Sequence, residues 1–390
     1  MFTLDNTHAQ HHLPFNFTSN SNSANSHVLV IKNRRHGIRS DGSGERIRAA
    51  AAAEGQSGAG GGGGRRGVGL AAHLRRRDGG PHLDGPAGGP LPDAAGGALR
   101  RPARRRHRPR LLPGGDVPDL RVYLPTARNT PSEDCPRGGL PVLLHLQGGG
   151  FCISHPSWLM YHQFYARLAR SVPAAVVSLA LPLAPERRLP AALDAAAAAL
   201  RHLPLLPPSV AARLDLSRVF PIGDSSGGNL VHLLAAAADG GRYGPVGLAG
   251  GILLHPGFVR STRSRSELEQ RADSVFFTLD MLDKFLALAL PPGATKDHPY
   301  TCPMGPAAPP LESLPLPPFL VGVAEHDLIV DTNMEYCDAM KRAGKDVEVL
   351  LSRGVSHSFY LNKFAVDTDP LTADRTHELI LAIANFIRRH

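Results

Sequence analysis

Cysteine is scarce in this 390-residue chain, with four in all, at positions 135, 152, 302 and 337. They form no C-x-x-C pair and show no metal-ligand spacing. A disulfide framework or a structural zinc site is therefore not expected, and reduced thiols in a cytosolic-type compartment are. Long apolar runs are lacking too. No stretch reaches the roughly 18 consecutive apolar residues a membrane-spanning helix needs, so none is expected. The first residues, Met1-Phe2-Thr3-Leu4-Asp5-Asn6, lead into polar sequence, unlike a secretory signal. A cytoplasmic location is the expectation, with organelle targeting by the N-terminal stretch left open.

Acidic residues are few at one end only. The net charge of +9 suggests a nucleic-acid partner until its location is read. Residues 1–116 hold 18 Lys+Arg against 8 Asp+Glu, whereas 117–390 hold 25 against 26, so the basic excess belongs to the N-terminal stretch. Glycine divides the same way, with 21 of 41 in the first 116 residues. Residues 45–116 alternate glycine and alanine runs with arginine clusters and contain no aromatic side chain to stack on bases, so no nucleic-acid partner is expected. Neither helical nor strand periodicity persists there, and so little apolar surface cannot offset the entropy of ordering. Residues 1–116 are therefore expected to be a disordered, low-complexity region, although an apolar island stands at Val28-Leu29-Val30-Ile31. Three origins stay open for it: a solvated tail, a misjoined or out-of-frame exon of a GC-rich gene, and a targeting or binding arm. Residues 117–390 are expected to be the folded domain, long enough for one large core.

From Asp119 the texture changes. Leu120-Arg121-Val122-Tyr123-Leu124-Pro125 alternates as an edge strand would. Apolar strand-type runs follow at 140–146, 174–179, 219–222, 248–255, 318–324 and 347–351. Between them lie helical patterns at 157–171, 190–203, 230–238 and 332–343, the last closed by Gly344, and a final helix at 373–389. Strands alternating with helices predict an α/β fold with a mostly parallel, doubly wound sheet. Residues 258–305 break the alternation with two polar-faced helical stretches, the place for a helical cap over the carboxyl edge of the sheet.

The chain is organised around Gly223-Asp224-Ser225-Ser226-Gly227-Gly228-Asn229, which lies between an apolar strand and an alanine-rich helix. A serine flanked by glycines at a strand-to-helix turn is the nucleophile-elbow pattern. A serine hydroxyl needs a base with a pKa near neutrality, and the base needs a carboxylate to orient it. On such a sheet these follow in the order serine, acid, histidine. Asp327 lies just past the strand at 318–324, and His357 just past the strand at 347–351. Both are carboxyl-end positions, where active sites of open α/β sheets gather. Asp331 is the rival acid, but its place before a helix suggests an N-cap. His145, His232 and His255 read as structural. The oxyanion formed on attack needs fixed N–H donors, and Gly148, Gly149 and Gly150 after an early strand, with the N–H of Ser226, are the candidates.

Taken together, these residues resemble the plant carboxylesterase branch of the hormone-sensitive-lipase-like α/β-hydrolases, which also contains the gibberellin receptors. The resemblance runs from about Asp119 to the C-terminus. It is carried by Gln147-Gly148-Gly149-Gly150-Phe151-Cys152, Leu183-Ala184-Pro185-Glu186, the segment around Ser225, Ala324-Glu325-His326-Asp327 and Ser356-His357-Ser358-Phe359. It implies an α/β-hydrolase fold and hydrolysis of small-molecule carboxylic esters without metal or organic cofactor. Ser225 would be the nucleophile, His357 the general base and then acid, and Asp327 the orienting acid. Three departures stand out. Gln147 replaces the family's histidine, which anchors the glycine loop, so reduced activity is expected. Ala180-Leu181-Pro182 replaces an Asp/Asn-Tyr-Arg run. Nothing in 45–116 resembles the family's N-terminal cap helices. A catalytically impaired relative and a non-catalytic hormone receptor are the alternatives, and the presence of His357 counts against the receptor.

Overall fold

The computed structural model describes residues 118–125, 139–238, 241–269 and 277–390, together with the backbone of two strands at 15–19 and 26–33. In chain order the strands are β1 (Phe15–Ser19), β2 (Ser26–Asn33), β3 (Leu120–Pro125), β4 (Leu140–Leu146), β5 (Ala175–Leu179), β6 (Leu214–Asp224), β7 (Gly251–Leu254), β8 (Phe319–Ala324) and β9 (Val347–Ser352). The helices are α1 (Leu159–Ser171), α2 (Ala191–His202), α3 (Pro208–Ala211), α4 (Ser226–Ala236), α5 (Arg265–Leu268), α6 (Leu279–Ala289), α7 (Val330–Arg342), α8 (Lys363–Thr368) and α9 (Pro370–Arg389).

The strands form one sheet in the order β1-β2-β3-β5-β4-β6-β7-β8-β9. From β5 to β9 every pairing is parallel, and β1, β2 and β3 join antiparallel at one side. The mostly parallel, doubly wound α/β sheet expected from the sequence is the one observed. β4 is buried along its whole length, as a strand covered on both faces must be, and its near-continuous apolar sequence reflects that. Neighbouring side chains of one strand enter opposite cores. Leu144 and Val177 pack with residues of α2, α4 and α7, whereas Leu143 and Val176 pack with α1 and α9. Each such fully buried leucine contributes roughly 2 kcal/mol by removal from water.

Local signals set the helix ends. In α1, Tyr161, Phe164, Tyr165 and Leu168 recur at helical spacing and are all buried, which turns one stripe of the helix to the sheet. α9 begins at Asp369-Pro370, where the Asp369 carboxylate accepts the Thr372 N–H at 2.8 Å, a capping bond that satisfies an otherwise orphaned donor. α7 stops at Gly344, whose φ of +68° only glycine adopts freely, and Lys345 N–H returns to Met340 O at 3.0 Å.

Two findings differ from expectation. β1 and β2 lie inside the stretch expected to be disordered, and the rest of 1–116 lies outside the described residues. β3 is consequently not an edge strand: Val122 is paired with Leu29 of β2 on one side and Val177 of β5 on the other. An unpaired strand edge is a row of free N–H and C=O groups, and an extended segment such as 26–33 satisfies it.

The expected helical cap segment, 258–305, contains α5 and α6. Ser264 and Glu267 close a capping box on α5. Arg263 bridges Glu267 in α5, at 2.7 Å, and Asp283 in α6. Leu282, Leu286 and Ala289 anchor α6 on the main core.

Candidate active site

Ser225 stands between β6 and α4 with φ +51° and ψ −123°, a conformation few non-glycine residues hold. The surroundings enforce it. Its N–H donates to Leu254 O of β7 at 2.9 Å, and its carbonyl accepts from Gly228 and Gly257 N–H at 2.8 and 2.9 Å. The turn closes only because its flanking residues lack side chains. A Cβ on Gly227 would run into the Leu146 carbonyl, and one on Gly223 into the backbone of Gly227.

The five non-glycine residues with positive φ among the described residues are Phe151, Ser154, Ser225, His255 and Ser358. They lie just past β4, β6, β7 and β9, all at the carboxyl edge of the sheet. Backbone strain of this kind costs about 1–3 kcal/mol per residue and concentrates at functional sites.

Asp327 and His357 meet as their positions past β8 and β9 suggest. His357 Nδ1 lies 2.7 Å from Asp327 Oδ2, and Asp327 Oδ1 accepts the Ile329 N–H at 3.2 Å. Burial pushes the Asp327 carboxyl upward; the adjacent His357 ring and its hydrogen bond, then His255 and the Ile329 N–H, outweigh it and hold the group below the usual carboxylate range. Asp331, the rival acid, is employed elsewhere. It sits in the first turn of α7, not at its N-cap, and accepts the Ser266 N–H of α5 at 2.7 Å. Among the described residues no hydrogen bond joins Ser225 to His357. Such bonds are often long in unliganded enzymes and tighten with substrate.

The glycine loop is held by a buried polar network. Asp224, 3 % exposed, accepts the Gly148 N–H at 3.1 Å and the Tyr161 hydroxyl at 3.0 Å. Burial and the Asp224 charge push the Tyr161 phenol well up, so it stays protonated and donates. Gln147 donates to Ser154 O at 3.1 Å, the loop-anchoring role expected of it, while its Oε1 is buried without a hydrogen-bond partner among the described residues. Gly148, expected among the oxyanion donors, directs its N–H to Asp224 and Tyr161. The N–H groups of Gly149, Gly150 and Ser226 have no acceptor among the described residues, and the Ser226 hydroxyl accepts from Phe151 N–H at 3.1 Å. The cap reaches both halves of the site. The Phe285 ring covers Gly150, and Phe277 stacks on His357 with ring centroids 4.2 Å apart. Sequence reasoning missed Asp224, Tyr161, Phe277 and Phe285; only the Asp224 position, next to the serine, carried a signal.

His255, Asp327 and His357 present ligand-type atoms within 4.8 Å of one another. Both imidazole Nδ1 atoms are engaged, His357 with Asp327 and His255 with the Ser358 N–H at 2.8 Å. The three side chains are thus each tied into a hydrogen bond, through Asp327 and the two Nδ1 atoms.

A family model described as the α/β-hydrolase fold matches residues 143–361. The chain belongs to the α/β-hydrolase fold family. Among similar α/β-hydrolases is the probable carboxylesterase 6 of Arabidopsis thaliana, 33 % identical over 275 residues, which are 69 % of this chain and 77 % of that protein. The chloroplastic tuliposide A-converting enzyme 1 of Tulipa gesneriana is 32 % identical over 64 % of this chain; the match spans 63 % of that enzyme, somewhat under two thirds. The gibberellin receptor GID1C of Arabidopsis thaliana is 35 % identical over 60 % of this chain and 68 % of the receptor. Among solved structures, the thermostable carboxylesterase EstE1 from a metagenomic library superposes with a TM-score of 0.57 at 26 % identity, covering 70 % of this chain and 84 % of that one. The resemblance to plant carboxylesterases and gibberellin receptors read from the motifs is borne out. No helix among the described residues is long and apolar enough to cross a membrane.

Proposed function

We propose that the chain is a serine carboxylesterase whose catalytic domain is 117–390, with 258–305 as its cap. The observation that carries this is the pairing of His357 with Asp327 at 2.7 Å beside a strained serine elbow at the same sheet edge. Esterases and carboxylesterases among the relatives and structural neighbours support it.

In this reading Ser225 Oγ attacks the ester carbonyl carbon and His357 Nε2 takes its proton. Asp327 holds the ring in the tautomer with hydrogen on Nδ1 and stabilises the imidazolium that forms. The carbonyl oxygen, now negative, is met by the N–H groups of Gly149, Gly150 and Ser226. The tetrahedral species collapses, His357 protonates the departing alkoxide, and an acyl-Ser225 remains. Water, deprotonated by His357, then attacks the acyl group; as the second tetrahedral species collapses, His357 returns that proton to Ser225 Oγ and the acid leaves. Each step uses side chains and backbone already in this chain and calls for no cofactor.

The receptor relative favours a second reading, ligand binding without turnover. The His357–Asp327 pair weighs against it, because a receptor has no use for a general base. We place the protein in a cytoplasmic-type compartment, with a plastid as the alternative. Purified protein offered p-nitrophenyl esters of increasing acyl length tests the reading. Saturable hydrolysis is expected; no hydrolysis of any chain length would overturn it.

A further inference from the structure

His255 directly follows β7, and nothing in the reaction above uses it. It is 1 % exposed and held at φ +49°. Its backbone N–H donates to Gly322 O of β8 at 2.8 Å, which ties it to the centre of the sheet. Its Nδ1 accepts the backbone N–H of Ser358 at 2.8 Å. Ser358 directly follows His357 and itself stands at φ +53°. The His255 ring lies 5.7 Å from the His357 ring, 5.7 Å from Phe359 and 5.8 Å from Tyr360. The turn that carries His357 is thus clamped from the strand next to the serine elbow, and the clamp is a side-chain acceptor on a rigid element.

We propose that His255 is a positioning residue for ester hydrolysis, which fixes the His357 turn through its Nδ1···H–N bond to Ser358. The inference rests on the serine-esterase reading. Accepting that bond requires a lone pair on Nδ1, so the ring is neutral with its hydrogen on Nε2. Burial supports this by pushing the imidazole down to about 4, against the opposing pull of Asp327. The same Leu254-His255 step presents the carbonyl that holds Ser225 N–H and the ring that holds the base. Nucleophile and base are thereby referenced to one backbone position. A misplacement of about 1 Å between such groups costs on the order of a hundredfold in rate.

Two substitutions separate this role from simple packing. Asn and Gly both tolerate positive φ, but only Asn keeps an acceptor where Nδ1 stood. In H255G, kcat for a p-nitrophenyl ester is expected to fall about ten- to a hundredfold with KM within about twofold, and H255N to recover most of that loss. Amide hydrogen exchange reads the bond itself. The Ser358 amide is expected to be protected in the wild type and in H255N, and to exchange freely in H255G. Equal kcat in H255G and H255N beside an inactive H357A, or unchanged Ser358 protection in H255G, would overturn the inference and leave the esterase reading intact. Wild-type turnover in H357A would instead overturn the esterase reading, and with it the catalytic role of His255.

Discussion

His357 Nδ1 lies 2.7 Å from the Asp327 carboxylate, although thirty residues and a helix–strand unit separate the two in sequence. Asp327 is 4 % exposed, so the bond is shielded from water and orients the ring strongly. Replacing Asp327 by Asn keeps the shape and loses the charge. The amide also favours the wrong imidazole tautomer. D327N is expected to lower kcat by about four orders of magnitude with a much smaller change in KM. Steady-state kinetics on a p-nitrophenyl ester check this; a loss of less than about tenfold would mean that another group orients the base.

Gly149 and Gly150 carry positive φ of +99° and +60°. A Cβ on Gly149 would lie 2.5 Å from Ile153 O, and one on Gly150 would meet the Phe285 ring. G149A and G150A are therefore expected to twist the loop that, in the proposed mechanism, aims two N–H groups at the developing oxyanion. Each is expected to reduce kcat by about two to three orders of magnitude, the usual cost of one lost donor. Denaturant unfolding of the same proteins separates this from global destabilisation.

Phe277 stacks on His357 with an interplanar angle of 23°. In the proposed mechanism the ring face would stabilise the imidazolium formed as Ser225 loses its proton. F277A is expected to lower kcat about five- to thirtyfold, from about 1–2 kcal/mol of lost cation–π stabilisation in a partly desolvated site. F277Y, which keeps a ring, is expected to stay near wild type. Equal losses in both would contradict a role for the ring face.

Stability is expected to fall between neutral pH and about 4. Burial pushes His232 and His255 from 6.5 down to about 4 in the folded chain. The unfolded chain binds these protons as pH drops through its higher value, while the folded chain binds them only near the lower one. The loss therefore begins below about 6.5 and levels off below about 4. Each group adds a slope approaching about 1.4 kcal/mol per pH unit. The lowered Asp327 carboxyl acts in a different window, since its contribution is lost only below the usual carboxylate range. His232 Nδ1 lies 2.9 Å from the Tyr336 hydroxyl, a bond Asn can keep. H232N is expected to flatten urea-unfolding stability against pH across this window; an unchanged slope would assign the effect elsewhere.

The sequence is most legible where chemistry and backbone pattern coincide. Ser225, Asp327 and His357 each follow an apolar run that becomes a strand, so their positions at the sheet edge are legible without coordinates. Gly148 shows the limit. Its glycine neighbours read as one donor set, but Asp224 and Tyr161, from β6 and α1, take its N–H through contacts distant in sequence. His255 read as structural because a histidine at a strand end has no local signature; its partner Ser358 is more than a hundred residues away. Phe277 and Phe285 belong to a cap whose placement depends on packing over the sheet. The apolar island at 28–31 was visible, but a strand also needs an edge to join, and the edge is supplied by β3.

The central claim, that Ser225 is the nucleophile activated by His357, is tested most directly by labelling the full chain with a fluorophosphonate and locating the adduct by peptide mass spectrometry. The account predicts one adduct on Ser225, none in S225A, and labelling at least about a thousandfold slower in H357A. Labelling of S225A at the wild-type rate, or an adduct on another residue, would contradict it.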